Sequence, residues 1–450
     1  MGMREIFGNA TLISGGNIAA SALNFITFLI TLNALGTHGF GVYSLVLSVL
    51  AVATLFLDMG VGKLVVADVA KDINERKGDD AGALFGGYIL LQVVLGIILV
   101  ACLFFGSGSV AAYFGPDIEI YIRLIAMLVI AGAARNILLT AFQVVSDFSS
   151  YAKFLFAEAL AKLALTAIAA YSLANVEGML LATAIGSIIS LAAFWGHIPA
   201  RLKKAGLFGP QTRKSLAVMF TKHGKWSIIS SQARNLESNI PPWIVGYFLG
   251  VNAVGIYSAL LKIQVTAIRL FEPLETVFYP MVSRLGSPED SRRQIIRATK
   301  YILYSSIPVV AGVVLFAEPI IRTVLGEEVV PYANVLRILM FTLLIFIANI
   351  PMKPFFYNLK AQKQLTIVSA IILVSTLFAG SALASYLGLM GIALNHLISP
   401  AIDLALKRRY MAQITGARYP IAEFVLLDRQ DAELFRRFAA DPLRILGVKK

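Results

Sequence analysis

Leu35-Gly36-Thr37-His38-Gly39-Phe40-Gly41-Val42-Tyr43-Ser44 lies between two apolar runs. After an offset of 214 residues the chain reads Leu249-Gly250-Val251-Asn252-Ala253-Val254-Gly255-Ile256-Tyr257-Ser258. Leu, Gly, Gly, Tyr and Ser recur in register without a gap, and Val is exchanged for Ile. At the same offset Leu47 maps onto Leu261 and Asp58 onto the acidic Glu272. The repeat implies two halves built alike, each carrying this stretch at the same place in its topology.

The surroundings of both copies say what those halves are made of. Of the 450 residues 58% are hydrophobic and only 14% charged, with a mean hydropathy of +0.77. An average soluble domain is roughly 25% charged, so this chain cannot supply the charged shell of a soluble enzyme of its size. Long apolar runs equally exclude a disordered chain. A crossing helix needs about 20 apolar residues. Twelve such segments are expected, near 10–33, 40–62, 84–106, 119–141, 153–173, 177–199, 226–249, 253–281, 300–318, 332–352, 364–386 and 389–408. The first runs too long for the roughly 7–15-residue apolar core of a cleavable signal, and it reads as a membrane span although Ala34-Leu35-Gly36 follows.

Charge placement fixes the orientation. The net charge is +13, from 39 Lys+Arg against 26 Asp+Glu. With the N-terminus on one side, the loops and adjoining span ends of that side hold 31 of the 39 basic residues, seven lie deeper inside spans, and the opposite side has Arg322 alone. The positive-inside rule then puts both termini in the cytoplasm and accounts for the basic excess without nucleic acid. Both copies of the repeat run from outside inward, so the halves are related by an axis along the membrane normal. The expected architecture is an all-α polytopic membrane protein of about twelve helices in two six-helix lobes. Residues 1–199 form the first lobe, 200–225 a basic cytoplasmic linker, 226–408 the second lobe and 409–450 a cytoplasmic tail. From Tyr419 the tail places Phe424, Leu434 and Phe438 among Arg436 and Arg437, the pattern of an amphipathic helix on the membrane surface.

Sites of chemistry are few. One cysteine, Cys102, and four scattered histidines give no disulfide framework and no metal-ligand spacing. Gly60-Val61-Gly62-Lys63 lacks the spacing of a phosphate-binding loop. No cofactor is expected. What stands out are charges within spans, where ionisable groups normally face a cavity or a partner. Arg123 and Arg337 near the outer interface and Asp403 near the inner one are expected to snorkel. Lys262 and Arg269 share a helix face with Glu272 nearby. Arg234 and Glu237 stand three apart, and Glu158 and Lys162 are spaced for an ion pair. Arg135 adds a cation, Asp58 an acid, and Asn17, Ser21, Asn24 and Thr31 a polar stripe on the first span. Together these can line one wet cavity between the lobes. Arg234, Lys262, Arg269, Lys162, Arg135, Asn17 and Asn24 are the candidate substrate-binding residues. Asp58, Glu158, Glu237 and Glu272 are candidates for ion coupling or charge pairing.

The paired stretches, with Leu57-Asp58-Met59-Gly60, Gly246-Tyr247-Phe248-Leu249-Gly250, Tyr279-Pro280, Leu325-Gly326-Glu327 and Leu336-Arg337-Ile338-Leu339, resemble the Wzx-like polysaccharide-biosynthesis flippases of the MOP exporter superfamily. The likeness covers nearly the whole chain. It implies two six-helix lobes in a V around a central cavity. It also implies movement of an undecaprenyl-pyrophosphate-linked oligosaccharide across the bacterial inner membrane by alternating access, with no covalent chemistry. The partners implied are that lipid-linked oligosaccharide, membrane lipids, and polysaccharide polymerase or export machinery. Where such relatives often carry a charged pair before the seventh span's glycine stretch, Pro241-Pro242 stands here, and two prolines should kink or break the helix. The alternatives are a multidrug antiporter of the same superfamily, a lipid II flippase, and a membrane glycosyltransferase or polymerase. An antiporter cavity should favour acidic and aromatic residues, and an enzyme should carry catalytic carboxylates on large outer loops; neither pattern is present.

Overall fold

The computed structural model describes residues 3–58, 61–75, 78–115, 117–196, 225–271, 288–352, 356, 361–417 and 419–426. Side chains of 3–14 and of Asp58 lie outside that description, as do Glu272, Glu275, Tyr279-Pro280, the linker up to residue 224 and the tail beyond 426. Nine helices among the described residues are long and apolar enough to cross a membrane. Two of these are bent and supply two crossings each. Residues 225–249 form a pair of shorter helices at the position of the expected seventh span, and with them the described helices fill all twelve expected places.

Helix α1, Met3–Asp58, bends at Gly36 (φ 66°, ψ −179°) into two arms. Helices α2 (Val61–Asn74), α3 (Gly78–Phe114), α4 (Asp117–Val144), α5 (Phe148–Ser172) and α6 (Val176–Trp195) complete the first half. The stretch 63–83, expected as loop, is largely helical. Val61, Val65 and Val69 recur every fourth residue and are buried, which ties α2 to the protein by one face. Asp147 and Asn175 cap α5 and α6 by accepting the backbone N–H three residues on, at 3.1 and 2.8 Å. Helix α3 turns Ile97, Ile98 and Phe105 outward, as a lipid-facing helix must.

The second half opens with α7 (Lys225–Asn239) and α8 (Pro241–Leu249), separated where the paired prolines remove two backbone donors. Helix α9 (Val251–Arg269) follows Gly250 (φ 85°, ψ 170°). Then come α10 (Pro288–Leu315), α11 (Ala317–Val324), a 3-10 turn at Glu327–Tyr332, α12 (Ala333–Asn349) and α13 (Gln362–Thr415), which bends at Gly388. Helix α13 runs past the expected end at residue 408. The short α14 (Ile421–Val425) packs against α10 and α13, and the rest of the expected amphipathic tail lies outside the described residues. Phe424 and Tyr419 are buried with Ile295, Ile296 and Met411, Glu423 pairs with Arg292, and the Tyr304 hydroxyl donates to the Val425 carbonyl at 2.6 Å.

The repeat is visible in the backbone. Gly36 and Gly250, 214 residues apart, adopt the same left-handed, extended conformation, which only glycine takes without strain. The halves also touch through that repeat. A Cβ on Gly41 would collide with the Val251 carbonyl oxygen, and one on Gly255 with the Thr37 carbonyl oxygen. These partners are again 214 apart, so the crossing is reciprocal, as a two-fold relation between the halves requires. Cross-half hydrogen bonds flank it. Thr37 Oγ1 donates to Glu328 Oε2 at 2.9 Å, Trp243 Nε1 to Ser48 Oγ at 2.7 Å, and Gln232 Nε2 to the Leu55 carbonyl at 3.0 Å.

Candidate functional site

Helix packing determines where the interior stays open. Gly16 of α1 lies so close to Ala152 of α5 that a Cβ would approach the Ala152 methyl to 2.8 Å, and Gly186 of α6 packs on the Lys162 backbone at 3.0 Å. Larger residues further along the same helices hold a cavity of about 330 Å³. Asn17, Ser21 and Asn24 recur at helical spacing along the first arm of α1 and line one wall. Glu158 and Lys162 of α5, Arg135 of α4 and Arg269 of α9 line the others.

Glu158 organises the cations. Its side chain is only 7% exposed, and its two oxygens accept from Arg135 Nε at 3.0 Å and Lys162 Nζ at 2.9 Å. Arg135 keeps 37% of its side chain accessible and Lys162 23%. Arg269 reaches from the other half and donates through NH1 to Ser21 Oγ at 3.0 Å. Three cations against one carboxylate leave a formal surplus of two positive charges on the cavity wall.

The other span residues fall elsewhere. Lys262 is half-buried close to Arg269 but off the wall of this cavity. The Thr31 hydroxyl is turned back onto the Thr27 carbonyl at 2.8 Å. Arg234 faces α13, where NH1 lies 3.8 Å from Asp403 Oδ2. Asp403 does not snorkel: it is 7% exposed and pairs with the buried Lys407 at 2.6 Å. Lys407 also donates to Asn349 Oδ1 at 3.4 Å, and Glu237 completes the group within electrostatic reach of Arg234 and Asp403. Two cations and two carboxylates balance there. Arg123 pairs with Glu119 and stacks over Phe104. Arg337 is held by Glu318 at 2.9 Å and Asn334 at 2.7 Å.

Arg135 also borders a second cavity, toward α7, whose wall includes Asn136, Gln232 and Asn235. The sequence does not mark these three, because each stands one or two residues from an arginine that carries the stronger signal. Their signal is an uncharged polar residue inside a crossing helix, turned about 100–200° from the neighbouring arginine.

Comparison with known proteins adds three findings. A profile of the family described as "Polysaccharide biosynthesis protein" matches residues 34–334. Over 428 residues the chain is 22% identical to a protein of Haloferax volcanii named probable low-salt glycan biosynthesis flippase Agl15, covering 90% of this chain and 84% of that one. It is also 22% identical over 293 residues, 64% of its length, to the teichuronic acid biosynthesis protein TuaB of Bacillus subtilis, of which the match spans 58%. Among solved structures, an inward-facing multidrug resistance MATE transporter of the MOP superfamily superposes with a TM-score of 0.75 at 15% identity, covering 91% of this chain and all of that one. The Vibrio cholerae MATE transporter VcmN gives 0.66 at 14% identity, covering 92% and 99%. These structures share the fold.

Proposed function

Because the chain belongs to the polysaccharide biosynthesis protein family and is a Wzx-like, multi-pass membrane transporter of MOP fold, we propose that it moves a lipid-linked oligosaccharide, carried on undecaprenyl pyrophosphate, across a bacterial inner membrane for surface polysaccharide synthesis. The observation that carries this reading is the charge surplus of the first cavity. A pyrophosphate esterified at both ends is doubly anionic, and three cations around one carboxylate leave the complementary charge. Arg suits this ligand because its planar fork donates two parallel hydrogen bonds, while Lys acts as a point charge. Asn17, Ser21 and Asn24 add neutral donors and acceptors. The prenyl chain stays in lipid while the head group enters the cavity, and rocking of the two halves exposes it to one leaflet and then the other. The cytoplasmic placement of both termini belongs to the same proposal, and no bond is made or broken.

The test is glycan export in cells at matched protein levels. Arg269→Ala should abolish surface glycan while the protein still inserts. Arg269→Lys should keep part of the activity if charge alone matters, and lose it if the bidentate contact is required. Wild-type export from Arg269→Ala overturns the reading.

A further inference from the structure

The second cavity is also about 330 Å³, in the size range of small-ligand sites, about 300–1,000 Å³. Its wall joins both halves: Thr54 of α1, Gly132, Arg135 and Asn136 of α4, and Gln232 and Asn235 of α7. Asn136 follows Arg135 directly, so the two side chains leave α4 about 100° apart. Arg135 therefore serves the first cavity while Asn136 faces the second. Gly132 lies one turn earlier on the same side and leaves the space between them open. Gln232 and Asn235 share a face of α7.

This wall differs in chemistry from the first. Arg135 is its only charge, and three carboxamides and a hydroxyl supply the rest of its polarity. Gln232 is fixed by its bond to the Leu55 carbonyl, and the Thr54 hydroxyl donates to the Ala51 carbonyl at 2.9 Å, which leaves its lone pairs as acceptors. The carboxamides of Asn136 and Asn235 are half-buried and have no hydrogen-bond partner among the described residues. Polar side chains at membrane depth face a partner or a wet cavity. Here two of them converge on a cavity with nothing from the protein to bond.

We propose that this second cavity is a sugar subsite. It takes the sugar next to the pyrophosphate through its ring hydroxyls or N-acetyl group, with Arg135 at the junction between sugar and anionic linkage. A carboxamide both donates and accepts, as a sugar hydroxyl does, whereas a prenyl chain or an inorganic cation can use only part of that set. The proposal rests on the first cavity being the head-group site. It makes the glycan end of the substrate touch both halves at once.

The experiment uses the full chain in lipid nanodiscs and diesters of equal charge: farnesyl pyrophosphate capped by a methyl ester, by glucose, or by N-acetylglucosamine. The wild type should bind one of the sugar-capped probes at least about tenfold more tightly than the methyl-capped one. Asn136→Leu and Asn235→Leu, near-isosteric, should each weaken that sugar-capped probe about 2- to 10-fold, the loss of a net hydrogen bond, and leave the methyl-capped probe unchanged. If a variant fails to elute as a single folded species, the wild-type affinity ratio decides on its own. Equal wild-type affinity for all three probes overturns the sugar subsite and leaves the head-group site standing, the second cavity then holding water only. Binding of none of the probes by the wild type overturns both.

Discussion

Glu158 and Asp403 sit in opposite halves of the molecule, each between a lysine one turn further along its own helix and an arginine from another helix. Lys162 and Arg135 hold Glu158 at 2.9 and 3.0 Å; Lys407 and Arg234 hold Asp403 at 2.6 and 3.8 Å. The two groups are not images of one another under the repeat, since adding 214 to 158 does not reach 403. Their settings differ. The first opens onto a cavity, gains a third cation from Arg269 and keeps a surplus of positive charge. The second lines neither cavity, its Lys407–Asp403 pair is buried with the Lys407 side chain 2% exposed, and Glu237 balances its charge. There Asn349 donates to the carbonyls of Ile345 at 3.0 Å and Pro400 at 3.2 Å while accepting from Lys407, so the group ties α7, α12 and α13 together. A surplus facing open space calls for a counter-ion from outside the protein. A balanced, enclosed set holds helices together.

The largest expected effect breaks that comparison if it fails. Lys407→Ala leaves Asp403 buried with only the more distant Arg234, and removing one partner of a buried ion pair typically costs about 3–5 kcal/mol. The variant should melt well below the wild type in detergent. Arg269→Ala, at the open cavity, removes a hydrogen bond to the Ser21 hydroxyl and no ion pair among the described residues, and should shift stability by only about 1 kcal/mol. Equal melting of Lys407→Ala and wild type would mean that the second group is no structural tie.

Where the halves do repeat, the repeat makes a quantitative demand of its own. Gly41→Ala and Gly255→Ala each place a methyl group inside a carbonyl oxygen of the other half. Overpacking of this kind costs about 1–3 kcal/mol. Because the contact is reciprocal, the two single variants should be destabilised alike. The double variant should cost clearly less than their sum, since one separation of the helices relieves both clashes. Strict additivity in thermal unfolding would show that the two contacts are independent.

The sequence made some of this architecture legible because its signals are local. Apolar runs mark spans, and Gly36 with Gly250 marks the repeated bend, because a left-handed residue at a helix junction needs glycine. The Glu158–Lys162 pair followed from helical spacing alone. Partners on other helices carry no such mark. Nothing local to Arg234 points to Asp403, which is 169 residues away. Spans seven and eight, being neighbours in sequence, suggested that Arg234, Lys262 and Arg269 would share one cavity. The structure puts only Arg269 on its wall, because Arg234 lies on the face of α7 turned to α13. Asp403 was expected to snorkel because it lies near a span end. The extension of α13 beyond residue 408 keeps it inside the bundle, where Lys407 on the same helix neutralises it.

The smallest expected effect sharpens the contrast between the two carboxylates. Glu158→Gln keeps the shape of the side chain, adds one net positive charge to the first cavity and frees Arg135 and Lys162 from their resting partner. The carboxylate competes with an anionic ligand for those cations. Its loss should therefore tighten binding of the methyl-capped farnesyl pyrophosphate, by about 2–5-fold for partly exposed charges worth up to about 1 kcal/mol. The gain should shrink at high salt, because an open cavity is screened. Export should fall rather than rise, since a ligand held more tightly leaves more slowly. Asp403→Asn should leave the affinity for the same probe unchanged, because that carboxylate opens onto neither cavity. Titrations of both variants at low and high salt read the difference directly. Weaker binding by Glu158→Gln would mean that the carboxylate aims Arg135 and Lys162 at the ligand and does not compete for them. The two clasped carboxylates would then do the same work, one holding cations for helices and the other holding them for substrate.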